Sequence, residues 1–468
     1  MLTTILGALL LTLHVAGVLA AMHAVMNTRT PQGAFAWALG LVFLPYVTLV
    51  PYLYLGRSRF HGYVDLHRAR RGQIQALMTG EPLAARDSPP VVSERYGEIA
   101  HMLGARFHAG QRLRLLVDGD ATFDAILGAI AQSQRCVLVQ FFIIHDDMLG
   151  KRMQQALIDR VRAGVDVCVL YDGIGSHALP HGYVDTLRAA GVSIHPFATQ
   201  RRSNRFQLNF RNHRKIVVVD GVRGYVGGLN VGDEYLGLKP PLAPWRDTHL
   251  EIEGPAVADL QRSFAEDWHW VTGALPPLLK PAPGEGSAHT LIAATGPADR
   301  QETCSLFFVG LIHAARRRLW ITTPYFVPDQ AVMSALRLAV FRGVDVRVLI
   351  PSRPDHHTVF LASTLYAHDA LRAGIRMFRY QPGFIHEKVL LVDDDTASVG
   401  SMNLDNRSFR LNFEIGALNV DRAFAAQVEA MLCNDFAHAH EVTEAEYDKA
   451  PYLRRLAMHI ARLFDPVL

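Results

Sequence analysis

Two ten-residue stretches carry reactive side chains at matched positions. Residues 212–221 read NHRKIVVVDG and residues 385–394 read IHEKVLLVDD. Each supplies a histidine, a lysine two residues on and an aspartate five residues after the lysine: His213, Lys215, Asp220 and His386, Lys388, Asp393. Read as strands, both stretches alternate, which sends histidine and lysine to one face. An ammonium beside an imidazole disfavours its protonation, so such a pair calls for an anion between them. Downstream, Gly227-Gly228-Leu229-Asn230 and Gly400-Ser401-Met402-Asn403 follow at equal offsets. The five-residue step takes Asp220 and Asp393 off the histidine's face to the strand ends. They complete the motif but read as architectural rather than proton-transferring.

The elements that must position these residues are themselves duplicated. RCVLVQFFII (135–144) matches RLWITTPYFV (318–327), each a short apolar run rich in β-branched and aromatic residues. RAGVDVCVLYD (162–172) then matches FRGVDVRVLIP (341–351), and LRAAGVSIHPF (187–197) matches LRAGIRMFRY (371–380). Strands alternating with helical stretches imply sheets flanked by helices. Two such units predict approximate two-fold symmetry, with both motifs brought to one central site.

On these residues the chain resembles the phospholipase D superfamily, over both repeats from about residue 111 to 440. The phrases VGGLNVGDEYLG, PWRDTHLEIEGPAV and VGSMNLDNRSFRLNFE make it similar, more narrowly, to bacterial cardiolipin synthases. The resemblance implies an α/β fold: tandem phospholipase D-like domains of mixed sheets flanked by helices, behind an N-terminal two-helix transmembrane hairpin. The expected divisions are a hairpin over 1–56, a basic connector over 57–110, and domains over 111–274 and 291–440. A Pro/Gly-rich linker over 275–290 joins the domains, and an amphipathic tail covers 441–468.

The implied chemistry is phosphatidyl transfer from one phosphatidylglycerol to another through a phosphohistidine. Anionic oxygens repel nucleophiles from a phosphodiester, and a covalent intermediate splits that hard step in two. In this reading one imidazole attacks phosphorus and the other moves the proton. The family's usual assignment makes His213 the nucleophile and His386 the acid and base, although near-symmetry leaves the choice open from sequence. Lys215 and Lys388 neutralise phosphate oxygens, and Asn230, Ser401 and Asn403 donate to them. Gly227 and Gly400 suit a close approach to the phosphate. The resemblance gives Glu414 to His386 and Asp247 to His213 as the carboxylates that orient the rings. This chemistry requires no metal or cofactor. A hydrolase with water as acceptor shares every one of these residues, and the acceptor is not encoded in the motifs.

Composition agrees with lipid chemistry. The 468 residues carry a net charge of only +3, which argues against a nucleic-acid partner. Residues 2–25 and 34–56 contain no Asp, Glu, Lys or Arg, and each run is long enough to span a bilayer. Arg57, Arg59, Arg68, Arg70 and Arg71 follow the second run, which puts the catalytic body in the cytoplasm of a multi-pass protein of the bacterial inner membrane. Paired spans are compatible with a homodimer. Cys136, Cys168, Cys304 and Cys433 show no metal or redox spacing and read as free thiols. The loop PSRPDHHTV (351–359) follows a strand end, which makes His356 and His357 candidates for headgroup contact. The stretch 200–215, with five arginines, reads equally as a solvated loop or an attractor of anionic lipid. In YLRRLAMHIARLF (452–464), Leu453, Leu456, Ile460, Leu463 and Phe464 share a helical face, for either the bilayer or the protein.

Overall fold

The computed structural model describes residues 1–28, 31–56, 63, 90–197 and 209–467. The arginines at 57, 59, 68, 70 and 71, most of the connector and residues 200–208 lie outside the described residues.

Among the described residues sixteen strands form one sheet, and its order shows the duplication. From the centre outward the first copy runs His108–Val117, Thr248–Glu253, Arg223–Gly227, Ile216–Val219, Cys136–Phe141, Asp166–Asp172 and Ser193–Phe197. The second runs Ala288–Thr295, Asn412–Val420, Thr396–Gly400, Val389–Val392, Arg318–Thr322, Asp345–Pro351 and Arg376–Tyr380, with Ala439–Glu441 added at its edge. The two innermost strands pair antiparallel, so a pseudo-two-fold axis passes between the copies.

Local sequence explains the repetition. Asp147 and Asp329 cap equivalent helices, Met148–Arg162 and Gln330–Phe341, by accepting from Gly150 N at 3.1 Å and Val332 N at 2.9 Å. Such a cap is worth about 1 kcal/mol. Both helices end at a glycine in the left-handed region, Gly164 (φ 85°) and Gly343 (φ 83°), which the shared GVDV phrase supplies. Each copy has its own core on one side of the sheet. On the other side Leu138, Ile216 and Leu250 join Trp320, Val389 and Ile415 beneath the helices Val257–Thr272 and Arg422–Ala437. That shared core makes the two copies one body.

Beyond Asn212 and Ile385, the motif stretches are strands only over Ile216–Val219 and Val389–Val392. His213 to Lys215 and His386 to Lys388 are irregular, contrary to the expected continuous alternation. The cause lies just upstream. Arg211–Asn212 pair in parallel with Asn412 and Phe413 of the second copy, and Phe384–Ile385 pair with Trp245–Arg246 of the first. Three residues then carry each chain from this bridging ladder into its own sheet. Histidine and lysine stay together because the lysine ammonium folds back onto the histidine carbonyl. Lys215 Nζ donates to His213 O at 2.7 Å, and Lys388 makes the equivalent bond to His386 O.

At the N-terminus, helix Leu2–Asn27 is long and apolar enough to cross a membrane. The second run differs from the expected single span, since it forms two helices, Pro31–Phe43 and Pro45–Leu55. Pro45 has no N–H to donate and forces Leu44 out of the helical region, to φ −135° and ψ 52°. All three helices pack together. Gly17 makes this possible, because a Cβ there would stand 2.3 Å from Leu41 O at the break. The outward faces remain apolar, with Leu11, Leu19, Phe35, Phe43 and Val50 exposed. An apolar surface of this kind belongs in lipid.

Candidate active site

The bridging ladders decide which carboxylate meets which ring. His213 N donates to Phe413 O at 2.9 Å, so the next residue of that strand, Glu414, stands beside the imidazole. Glu414 Oε2 lies 2.9 Å from His213 Nδ1. Likewise His386 N donates to Arg246 O at 2.7 Å, and Asp247 Oδ2 lies 2.7 Å from His386 Nδ1. The expected pairing is therefore corrected: Glu414 serves His213 and Asp247 serves His386. Each ring is held by the other copy.

The four ionisable partners are buried together. Lys215 and Lys388 are 0% and 3% exposed, and Asp247 and Glu414 are both fully buried. Burial lowers His213 to about 4, with Lys215 pushing the same way and Glu414 opposing. His386 is also driven well below its usual value by burial and then by Lys388 and Lys215. Burial brings Lys388 down to about 8 and also holds Lys215 well below its usual value. Burial raises Asp247, whereas for Glu414 burial is outweighed by His213, Lys215 and Ser401, and the net shift is down. Both rings are thus neutral at pH 7. With Nδ1–H directed at a carboxylate, each leaves an Nε2 lone pair for chemistry.

The remaining motif residues have defined places. Ser401 does not stand free for a phosphate: its Oγ donates to Glu414 Oε2 at 2.5 Å and accepts from Ile415 N at 3.0 Å. Ser408 Oγ (2.9 Å) and Asn412 Nδ2 (3.1 Å) donate to the other carboxylate oxygen. Glu414 is therefore the more firmly held anion of the two. In the first copy the residue equivalent to Ser401 is Gly228, where a Cβ would fall 2.1 Å from Asp247 Oδ1. The shorter acid sits where the side chain would be, and that explains the Gly/Ser difference. Gly227 and Gly400 likewise make room for neighbouring strands, at His249 and Gly416, rather than for a phosphate. Asn230 spans Ile143 N (3.2 Å) and Tyr235 Oη (3.0 Å), and Asn403 Oδ1 is buried with no partner among the described residues.

Asp220 and Asp393 are at the strand ends, away from the rings. Asp220 accepts from Gln134 N, Arg135 N and Cys136 N at 2.8–2.9 Å, and Asp393 accepts from Arg317 N at 2.8 Å and pairs with Arg95. Both adopt φ 53°, and the carboxylate of each pins the start of the neighbouring strand, at Cys136 N and Arg318 N.

Several residues at the site went unrecognised in the sequence. Phe142 packs edge-on to His213 with centroids 5.0 Å apart, and its repeat equivalent Tyr325 lies 6.5 Å from His386, beside Trp245 at 5.1 Å. Their matched positions in the first repeat phrase were the available signal. The 351–359 loop does reach the site, but through Asp355, which accepts from the Tyr325 hydroxyl, while the His356 side chain is exposed. The residue between histidine and lysine also differs in charge. Arg214 pairs with buried Asp267 at 3.0 Å, and Glu387 pairs with Arg246 at 2.9 Å.

Residues 126–268 and 308–436 match a family model described as cardiolipin synthase, phospholipase D-like domain. Residues 15–57 match a phospholipase D-nuclease N-terminal model. Cardiolipin synthase A of Pseudomonas aeruginosa PAO1 is 57% identical across 100% of this chain and 97% of its own length. That of Pseudomonas putida KT2440 is 56% identical across 99% of this chain and 98% of its own. The solved phosphatidylserine synthase of Haemophilus influenzae Rd KW20 has the same fold, with a TM-score of 0.62 at 15% identity over 80% of this chain and all of its own. The chain belongs to the phospholipase D-type cardiolipin synthase family.

Proposed function

We propose that the protein makes cardiolipin by moving the phosphatidyl group of one phosphatidylglycerol to a second, through a phosphohistidine on His213. One observation carries this reading: two neutral imidazoles, each held at Nδ1 by a carboxylate of the other copy, stand among two buried lysines. His213 Nε2 attacks phosphorus, and the bond from phosphorus to the departing glycerol oxygen breaks. That oxygen takes its proton from His386. The terminal hydroxyl of the second phosphatidylglycerol then attacks phosphorus, His386 takes its proton, and His213 leaves as the neutral ring.

Charge balance supplies the proton. With both lysines protonated, two ammonium groups and two carboxylates cancel, so an arriving phosphodiester leaves one negative charge uncompensated. Protonation of an imidazole restores neutrality, and the buried site makes that coupling strong. The firmly ionised Glu414 suits His213 to the covalent role, because a phosphorylated ring bearing Nδ1–H is cationic and needs an anion beside it. The acceptor hydroxyl follows from the family relationship.

In phosphatidylglycerol mixed micelles, cardiolipin and free glycerol are expected in equal amounts. Phosphatidic acid in their place would make water the acceptor and the protein a hydrolase. Binding of the phosphate anion is expected to need protonated Lys388. Its value near 8 means the charge is present below that pH and lost above it. Inhibition by inorganic phosphate should therefore weaken about tenfold per unit above pH 8; a flat profile to pH 10 would remove Lys388 from the phosphate. Gly228→Ser should push Asp247 off His386 and lower turnover about 100-fold with little change in KM. Full turnover in that variant would show that the close contact is not needed.

The N-terminal helices are proposed to cross the bilayer as a multi-pass anchor with the catalytic body cytoplasmic. The arginines that follow the second run support that orientation. Lipid substrates then diffuse in the plane beside the site, which raises their effective concentration.

A further inference from the structure

The C-terminal helix Tyr452–Arg462 docks on the helix His357–Leu371 through a narrow face, with Met458 and Ala461 buried. Its wide apolar face points away. Leu453 is 76% exposed and Leu463 77%, and Leu456, Ile460 and Phe464 are exposed with them. Residues 452–464 include three arginines and no Asp or Glu. Five apolar side chains in a row on one cationic helix do not rest in water without a cover.

A chain of hydrogen bonds identifies the cover. Asp465, just past the helix, accepts from Tyr366 and from Asn406 of the short helix Asn406–Arg410. Arg407 of that same helix donates to Asn209 O at 3.1 Å. Asn209 in turn donates to Leu55 O at 2.8 Å, at the end of the last N-terminal apolar helix. The end of the membrane helices and the end of the C-terminal helix therefore converge on one five-residue helix. That helix begins three residues after Asn403 of the second motif.

We propose that the C-terminal helix is a second membrane contact, lying in the interface of an anionic bilayer with Leu453, Leu456, Ile460, Leu463 and Phe464 among the acyl chains. The spanning helices fix the body to the membrane. This helix fixes its tilt, so that the cleft between the motifs faces headgroups at interfacial depth.

The test uses the full chain with Cys433→Ser, which removes the exposed native thiol. A nitroxide is placed on Ile460→Cys in vesicles of phosphatidylglycerol and phosphatidylcholine, with one on exposed Asp124→Cys as the aqueous reference. The label at 460 should be reached by oxygen and shielded from a water-soluble nickel complex, and the label at 124 should be open to the nickel complex. Equal nickel access at both sites would overturn the proposal. So would shielding from both reagents at 460, because protein, whether a second copy or residues 64–89, would then cover the face. The measurement needs no turnover and stands apart from the catalytic reading. As a second readout, Leu456→Glu with Ile460→Glu should raise the apparent KM for phosphatidylglycerol in vesicles by about tenfold. Turnover of a water-dispersed short-chain phosphatidylglycerol should be unchanged, which also shows the variant folded; an unchanged vesicle KM would count against the proposal.

Discussion

His213→Ala removes the transferase activity with every donor, by about 10⁵-fold or more, because no atom remains to accept the phosphatidyl group. His386→Ala is expected to behave differently. With phosphatidylglycerol it fails equally, since a departing alkoxide needs a proton. With a phosphatidyl ester of p-nitrophenol the departing group needs none, and His386→Ala should release p-nitrophenol in a burst of one equivalent per enzyme. Turnover then stalls, as no base remains to activate the acceptor hydroxyl. The neutral state of His213, with burial lowering it to about 4, keeps this burst available through the neutral range. A burst from His213→Ala but not from His386→Ala would exchange the two roles.

The carboxylates should sort the same way, crossed between the copies. Glu414→Gln takes the anion from His213, and Asp247→Asn takes it from His386. Each should lower phosphatidylglycerol turnover by about 10³–10⁴, the scale on which loss of a ring-orienting carboxylate acts. The p-nitrophenyl donor separates them. Asp247→Asn should keep most of the burst rate, because only the proton-transferring ring is disturbed, while Glu414→Gln should lose it with the nucleophile. Pairing each acid with the nearer motif in its own copy predicts the reverse. The longer Glu414 also has three further donors to replace, Ser401, Ser408 and Asn412, so its variant should lose more stability.

The repeat, the paired motifs and the first apolar helix were legible in the sequence, since each is carried by local pattern, while the acids Asp247 and Glu414 came from the family resemblance. The crossing was not. It depends on two-residue ladders, Arg211–Asn212 with Asn412–Phe413 and Phe384–Ile385 with Trp245–Arg246, too short to leave any periodicity. The same ladders ended the expected strand alternation at Lys215 and Lys388. Pro45 within an otherwise uniform apolar run divided the second span, which a composition window averages away. Ser401 looked like a phosphate donor because motif spacing gives proximity but not partners, and Glu414 claims its hydroxyl. The C-terminal helix showed an apolar face in sequence; only its docking through Met458 and Ala461 reveals which face is left open.

The central claim is a covalent intermediate on His213, and the direct measurement is mass spectrometry of His386→Ala quenched during the p-nitrophenyl burst. The account predicts one phosphatidyl adduct per chain, acid-labile and mapping to the peptide that contains His213, absent when His213→Ala is added. Product release with no adduct, together with inversion at a chiral phosphorus in the unmodified protein, would contradict it and leave a single direct displacement.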